Sequence, residues 1–166
     1  HEALGHVRRF MADVRRQRGV DFREARPVVD GLIDSVFRND AAAAAMLNLK
    51  RFDEYSYAHC LNVAVLAITL GKHLGLERSV LSDLGVAGLF HDVGKARIPE
   101  DILNKPARLS EPEFQVMKGH VAESHSIMLG QKDAPREVLR GILEHHERHD
   151  GSGYPRGLAR EDIGPF

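Results

Sequence analysis

Several residue types are scarce in this chain of 166 residues, and each scarcity excludes a class of protein. There is no tryptophan and only one cysteine, Cys60, so an internal disulfide is impossible and a reducing compartment, the cytoplasm, is expected. No apolar run approaches the roughly 20 residues that span a membrane, and no signal peptide is visible, so we expect no membrane contact. The net charge of −1 provides no field that would recruit nucleic acid.

Three common catalytic motifs are also missing. The sequence has no Walker-type phosphate loop, no Gly-x-Ser-x-Gly nucleophile elbow and no Gly-x-Gly-x-x-Gly dinucleotide fingerprint. Nucleotide-fuelled, serine-esterase and dinucleotide-dependent chemistries therefore have no support. Histidine, by contrast, is abundant, with 10 residues in a chain of this length, and the functional interpretation depends on where these histidines lie.

The spacing of apolar residues predicts helices with short connections and no strand, so the expected fold class is all-α. Residues 1–50 read as a helical lead-in that connects to an upstream region, and residues 51–166 as the core domain. Within the core, one helix is predicted over residues 55–74. Another is predicted to begin at Ser110, because Ser110 and Glu113 have capping-box spacing. Two further helices are predicted to end at His91-Asp92 and at His145-His146.

The helix over residues 55–74 is predicted to bury one face. Spacings of three and four residues place His59 near the start of an apolar stripe. The stripe continues through Val63, Leu66, Ala67, Leu70 and Leu74. Cys60 is displaced from His59 by about 100° on the same helix, and it reads as a small buried hydrophobe rather than as a metal ligand.

The segment LGVAGLFHDVGKARI, residues 84–98, is the most informative part of the chain. An apolar helix ends there in His91-Asp92, and Gly94 and Lys95 follow. Adjacent side chains do not share a helix face. His91 and Asp92 can therefore hold one metal only where the last helical turn opens, which Gly94 would allow. Lys95 then places a cation where a phosphate oxygen beside the metal would need one.

Further histidines lie near helix ends, on inward positions. A single histidine on an apolar face is more often a hydrogen-bonded core residue than a ligand. Several of them, each a costly polar group to bury, are better explained by one shared metal site. The candidate ligands are His59, His91, Asp92, His120, His145 and His146.

This set offers imidazoles and a carboxylate but no thiolate, which suits iron, manganese, zinc, nickel or cobalt. Five imidazoles exceed what one catalytic ion needs. Two divalent ions bridged by Asp92 and by a water or hydroxide account for the number better. Such a pair would lower the pKa of the bridging water and hold both oxygens of an in-line displacement at phosphorus.

Longer motifs resemble those of HD-GYP domains, a branch of the HD phosphohydrolases. The matching segments are residues 91–95, 98–99, 102–106, 118–120, 145–155 and 157–158. The resemblance covers residues 51–166 and is specific, because the long segment from His145 to Leu158 is not a chance match. It implies an HD-type helical bundle and a bacterial phosphodiesterase that hydrolyses cyclic di-GMP to pGpG, and often onward to GMP.

The resemblance divides the candidate ligands between two metals that share Asp92. The first metal would be held by His59, His91 and Asp92, and the second by Asp92, His120, His145 and His146. Some family members bind a third metal through a glutamate one turn before the first histidine. Here that position is Tyr55, and Glu54 is displaced from it by about 100°, so two metals are expected.

The resemblance also implies substrate contacts and partners. Lys95 would contact the scissile phosphate and act with Asp92 in catalysis. Gly153, Tyr154 and Pro155 would form the loop for which the family is named. That loop would lie beside the substrate cleft and dock GGDEF-domain proteins. A homodimer is left open.

In one respect the sequence departs from the family pattern. The family has a further aspartate ligand and basic substrate contacts beyond the point that matches Phe166, and Asp162 lacks that motif context. We therefore expect the C-terminal part of the core to be missing and the first metal to keep three protein ligands. Two alternatives stay open: an HD phosphohydrolase acting on another nucleotide, and a non-catalytic module that binds the cyclic dinucleotide or a GGDEF partner. The presence of His91 and Asp92 favours an enzyme.

Overall fold

The computed structural model describes residues 22–38, 55–131 and 133–166, together with a few separate positions between residues 5 and 16. Much of the predicted lead-in, as well as Glu54, lies outside these residues. The chain forms helices Phe22–Arg38 (α1), Tyr55–His73 (α2), Arg78–Phe90 (α3), Glu100–Leu103 (α4), Glu111–Leu129 (α5) and Arg136–Glu144 (α6). Two short 3₁₀ helices cover Val93–Arg97 and Arg160–Asp162.

The all-α fold class is confirmed. Among the described residues, β pairing is limited to one isolated antiparallel bridge between Asp150 and Ala159. Helix α5 begins after Ser110, as the capping-box spacing predicts. The Glu113 carboxylate accepts hydrogen bonds from the Ser110 N–H at 2.7 Å and from the Ser110 hydroxyl at 2.8 Å. No helix in the described part of the chain is long and apolar enough to cross a membrane.

Helices α2 and α3 pack closely because small residues meet where they cross. A Cβ added to Gly88 would lie 2.8 Å from the Cα of Ala64, an approach that only glycine permits. One apolar core surrounds this crossing and draws on α1, α2, α3 and α6. Its fully buried side chains include Val29, Ile33, Val65, Ile68, Leu81, Val86, Phe90 and Ile142. The packing fixes the C-terminal end of α3, where His91 and Asp92 follow, against α2.

The predicted buried face of α2 is wrong. Leu66, Leu70 and Leu74 are 51%, 62% and 67% exposed. The side chains that α2 buries are instead Ala58, Cys60, Leu61, Ala64, Val65 and Ile68. Because α2 is apolar on nearly all sides, spacing alone cannot select its buried face, and the close contact at Ala64 selects it. Cys60 is buried, as expected of a small hydrophobe.

Helix α1 belongs to the same core although it precedes the predicted domain boundary at residue 50. Its apolar face, with Val29 and Ile33, is fully buried. Its polar face is tied to α3, because the Arg26 guanidinium donates to Ser82 Oγ at 3.0 Å and to Asp83 Oδ1 at 2.8 Å. The division into residues 1–50 and 51–166 stays a prediction, and this packing favours a folding unit that includes α1.

Candidate metal centre

Four helices bring the six predicted ligands to one place. Helix α2 carries His59 and α5 carries His120, both within the helices. Helices α3 and α6 deliver pairs of ligands at their C-terminal ends, where the backbone leaves the helix and adjacent side chains can turn the same way. These pairs are His91-Asp92 after Phe90 and His145-His146 after Glu144.

Asp92 lies at the centre of the cluster and is 2% exposed. Its Oδ2 faces His91 Nε2 at 3.1 Å and His59 Nε2 at 3.5 Å. Its Oδ1 faces His120 Nε2 at 3.2 Å and His145 Nε2 at 3.9 Å. Two ligand groups result, with ligand atoms within 4.8 Å of one another in each: His59, His91 and Asp92, and Asp92, His120, His145 and His146. The structure therefore brings all six candidates together, and Asp92 is shared.

Three of the histidines are held in one tautomer by the helix backbone. In each, the ring Nδ1 donates to the carbonyl of the residue three positions earlier, at 2.8 Å for His91, 2.6 Å for His120 and 2.7 Å for His145. Because a carbonyl oxygen only accepts, Nδ1 carries a proton, and the lone pair that a neutral ring offers to a metal is then on Nε2. Metal-binding histidines are commonly oriented by such a bond from the other ring nitrogen.

The inward-facing atoms of this cluster are mostly acceptors. Nε2 of His120 and Nε2 of His145 lie 3.4 Å apart, and both face Asp92 Oδ1. That oxygen is buried and has no hydrogen-bond partner among the described residues. Buried acceptors that face each other without a donor are unfavourable, and a cation among them removes the conflict. The donor set therefore fits divalent metal ions, and the cluster could bind metal.

Burial favours the neutral form of two imidazoles in the second ligand group, those of His145 and His146. It lowers the pKa of His145 to about 3, with a smaller contribution from His91. It also lowers the pKa of His146 to about 4, helped by His120. The pKa of His59 is lowered for the same reason. Neutral imidazole is the form that binds a metal ion.

Asp92, in contrast, stays ionised. Burial would raise the pKa of this carboxyl, but the positive charge of Lys95, which donates to Oδ2, holds its pKa well below its usual range. Lys95 lies on the 3₁₀ helix Val93–Arg97, and its Nζ donates to Asp92 Oδ2 at 2.7 Å. The structure thus places Lys95 at the edge of the first ligand group. Its contact with a phosphate stays a prediction.

Gly94 acts through close approach, and not by opening the last turn of α3 as we predicted. Helix α3 ends at Phe90, and Asp92 already has the non-helical angles φ −105° and ψ 6°. A Cβ on Gly94 would lie 2.2 Å from the His120 carbonyl oxygen and 2.5 Å from the Ser124 nitrogen. The Gly94 N–H donates to Ser124 Oγ at 2.8 Å. Gly94 thereby lets the 3₁₀ helix lie against α5, which brings Asp92 to His120.

The predicted substrate loop lies beside the second ligand group. The Tyr154 ring stacks on the His146 imidazole, with centroids 4.5 Å apart and planes at 22°. Burial and the charge of Asp92 raise the pKa of Tyr154 to about 12, so its hydroxyl stays neutral. Gly153 has no room for a side chain, while Pro155 is exposed. Tyr154 thus contacts a candidate ligand directly, and contact of the loop with substrate stays a prediction.

Two glutamates that support this loop, one buried and one half-buried, were not identified from the sequence. Glu147 accepts hydrogen bonds from the N–H groups of Arg156 at 2.7 Å and Leu158 at 2.8 Å, so it fixes the loop that carries Tyr154. Glu144 is 2% exposed and binds the guanidinium groups of Arg140 and Arg156. The position of Glu147 within the histidine-rich motif was a signal for such a role, but spacing does not show a loop-backbone contact.

Known proteins are similar to this chain in sequence. The HD domain family matches residues 39–166. A cyclic di-GMP phosphodiesterase of Pseudomonas aeruginosa is 39% identical over 151 residues, which are 91% of this chain and 36% of that protein. A 3'3'-cGAMP-specific phosphodiesterase of Vibrio cholerae is 40% identical over 108 residues, 63% of this chain and 24% of that protein.

A cyclic di-GMP phosphodiesterase of Thermotoga maritima is 36% identical over 113 residues, 67% of this chain and 30% of that protein. The chain thus spans between 24% and 36% of the length of these relatives. The family match covers most of the chain, including every ligand of the candidate metal centre. The chain therefore belongs to the HD domain family, and its resemblance to the HD-GYP branch is confirmed.

Proposed function

We propose that this domain is a metal-dependent phosphodiesterase that hydrolyses cyclic di-GMP to pGpG, with GMP as a further product. The observation that carries this proposal is the buried Asp92 carboxylate, whose two oxygens face two separate groups of histidines. Two of the relatives described above are named cyclic di-GMP phosphodiesterases, which supports the choice of substrate.

The proposed cofactor is a pair of divalent transition-metal ions, chosen from iron, manganese, zinc, nickel and cobalt. One ion would be held by His59, His91 and Asp92, and the other by Asp92, His120, His145 and His146. When bound, such a pair supplies an activated water near neutral pH and neutralises charge on the phosphoryl oxygens. The absence of a thiolate from both groups favours these ions over a structural zinc site.

The chain's own residues would position the substrate and keep charges fixed. Lys95 lies 2.7 Å from Asp92 Oδ2, so its ammonium is placed to donate to a phosphate oxygen that enters beside that carboxylate. His120 and His145 are held by backbone carbonyls and need no reorientation when substrate arrives. Tyr154 covers His146 and limits the access of water from that side.

The test uses the complete natural protein, loaded with manganese or iron and incubated with cyclic di-GMP, with products separated by chromatography. We expect pGpG to appear, and Asp92→Asn to abolish it together with most of the bound metal. His73→Ala is the matched control, because His73 is exposed and belongs to neither ligand group. Metal-loaded protein that leaves cyclic di-GMP intact would overturn the proposal.

A second substrate, 3'3'-cGAMP, is favoured by one observation. The Vibrio cholerae relative that is 40% identical over 108 residues is named a 3'3'-cGAMP-specific phosphodiesterase. The metal centre does not discriminate between the two cyclic dinucleotides, because both present the same phosphodiester. Measuring kcat/KM for both compounds in parallel shows which of them is the better substrate. A non-catalytic binding module would bind either compound without forming a linear product.

A partner protein would contact residues of the loop that do not contact the candidate metal ligands. Tyr154 is turned inward onto His146, whereas Pro155 and Arg156 are exposed. If a GGDEF-domain protein docks at this loop, we propose that it contacts Pro155 and Arg156. Pro155→Ala should then weaken co-purification with that partner while leaving bound metal in place, and unchanged co-purification would contradict this contact.

A further inference from the structure

A row of aromatic rings leads from the metal ligands to the surface. The His146 imidazole stacks on Tyr154, and Tyr154 meets Phe114 edge to face, with centroids 6.2 Å apart and planes at 82°. Phe114 is on the first turn of α5 and is 38% exposed. An exposed ring that continues a row from the candidate metal centre is a surface on which a nucleobase can stack.

A lysine lies over the same rings. Lys118 Nζ is 4.7 Å from the Phe114 centroid and 5.4 Å from the Tyr154 centroid. No hydrogen bond or ion pair joins this ammonium to another group in the part of the chain that the structure describes. Other cations of the domain differ in this respect, because each forms an ion pair with a carboxylate. They include Lys95, Lys105, Arg140 and Arg156. Lys118 therefore keeps its donors available next to an aromatic surface.

We propose that Phe114, Lys118 and Tyr154 form a subsite for a guanine base, called here the guanine subsite. It rests on the proposed function, because it names where one base of the cyclic dinucleotide lies while the phosphodiester is at the metal centre. Phe114 supplies the stacking surface and Tyr154 holds that surface against His146. Lys118 donates to the edge of the stacked base.

The chemistry of Lys118 selects guanine over adenine. Guanine presents two neighbouring acceptors, O6 and N7, to which a lysine can donate. Adenine presents N7 together with an amino group, whose hydrogens face the ammonium. The guanine subsite therefore discriminates by an acceptor that only guanine has, whereas stacking on Phe114 accepts either purine. The guanine subsite therefore favours binding of cyclic di-GMP over binding of cyclic di-AMP.

The experiment compares Lys118→Met and Phe114→Ala in the complete metal-loaded protein. The substrates are cyclic di-GMP, cyclic di-AMP and methyl p-nitrophenyl phosphate, a phosphodiester without a purine. Lys118→Met should raise KM for cyclic di-GMP by about tenfold or more. It should also lower the ratio of kcat/KM for cyclic di-GMP to kcat/KM for cyclic di-AMP. Phe114→Ala should weaken binding of both dinucleotides by roughly 5- to 150-fold. Losses on methyl p-nitrophenyl phosphate should be at least about tenfold smaller.

Leu129→Ala is the matched control, because Leu129 is on the same helix and 60% exposed but far from these rings in sequence. Equal losses on all three substrates, or an unchanged preference for cyclic di-GMP in Lys118→Met, would overturn the guanine subsite. If the parent protein turns over no dinucleotide, the proposed function fails separately. Calorimetric binding of cyclic di-GMP to the parent and to Lys118→Met then tests the guanine subsite without turnover, and equal affinity refutes it.

Discussion

Among single residues, Asp92 and Lys95 form the charged pair on which the proposed chemistry depends. The Lys95 ammonium lies 2.7 Å from Asp92 Oδ2, the oxygen that also faces His91 and His59. Asp92 is nearly inaccessible, whereas the Lys95 side chain is 25% exposed. An ammonium at the accessible side of a buried carboxylate meets an incoming phosphate before the carboxylate does. The proposed function therefore assigns Lys95 to the substrate phosphate and Asp92 to the metal ions.

This placement predicts the effect of Lys95→Ala in the complete protein. A charge-assisted hydrogen bond made in the transition state is worth about 1.5–3 kcal/mol, so kcat should fall by roughly 10- to 200-fold. Bound metal should be retained, because Lys95 is not a ligand. Steady-state kinetics and elemental analysis check both points. Arg97→Ala is the control, since Arg97 lies on the same 3₁₀ helix and pairs with Glu123. Full activity in Lys95→Ala would leave Lys95 only a structural partner of Asp92.

At the scale of elements, the contact between the 3₁₀ helix and α5 holds the two ligand groups together. Gly94→Ala would place a Cβ 2.2 Å from the His120 carbonyl oxygen, which is backbone and cannot move aside cheaply. We expect a loss of stability of about 1–3 kcal/mol or more, together with weaker metal binding. Thermal unfolding and metal titration measure these effects.

The control for Gly94 is Gly31→Ala on α1, where an added Cβ meets nothing within 4 Å. Removing glycine from an exposed helix position should raise stability by roughly 0.5–1 kcal/mol. The two glycine-to-alanine substitutions should therefore change the free energy of unfolding in opposite directions, although the chemical change is the same. If Gly94→Ala were as stable as the parent and bound metal equally well, the close approach would not be needed.

The start of α5, the helix that carries His120, depends on the charge of Glu113. Hydrogen bonds from Lys105 and then from Ser110 lower the pKa of Glu113 to about 2 from its ordinary value of 4.5. Because this pKa is lower in the folded than in the unfolded protein, Glu113 favours folding above pH about 4.5. That contribution is lost as the pH falls toward 2.

An NMR titration of the Glu113 carboxyl measures this directly. The expected midpoint is near 2, and Lys105→Met should move it upward, because Lys105 is the largest cause of the shift. Arg136→Met, a change of charge at the exposed start of α6, is the control and should leave the midpoint in place. A midpoint near 4.5 in the parent protein would show that the capping contacts do not form in solution.

The elements also show what the sequence can and cannot predict. The six candidate ligands could be picked out because they lie on inward positions near helix ends, and the structure brings them together. The start of α5 could be identified because Ser110 and Glu113 cap it locally. The buried face of α2 could not, because an evenly apolar helix gives no periodic signal and Ala64 meets Gly88 only in three dimensions. Lys118 could not be identified as a substrate contact either. Lys118 and Tyr154 are 36 positions apart in sequence, and only the fold shows that they lie close together.

At the scale of the whole molecule, a substitution in α1 shows whether this helix belongs to the cooperative folding unit. Ile33 is fully buried in the core that α1 shares with α2 and α3. Ile33→Ala should therefore lower the free energy of unfolding by about 2–5 kcal/mol, measured by denaturant titration. Phe37→Ala is the control on the same helix, because Phe37 is 52% exposed. An equally small effect of both changes would place α1 outside the cooperative unit, as the boundary predicted near residue 50 implies.

The measurement that most directly tests the central claim, two metal sites sharing Asp92, is anomalous diffraction from crystals of the metal-loaded complete protein. We predict two anomalous peaks per chain. One should lie among His59, His91 and Asp92, and the other among Asp92, His120, His145 and His146. Both peaks should disappear in Asp92→Asn, because each site loses the same carboxylate. Three peaks, a single peak, or two peaks that survive in Asp92→Asn would contradict the shared-carboxylate centre.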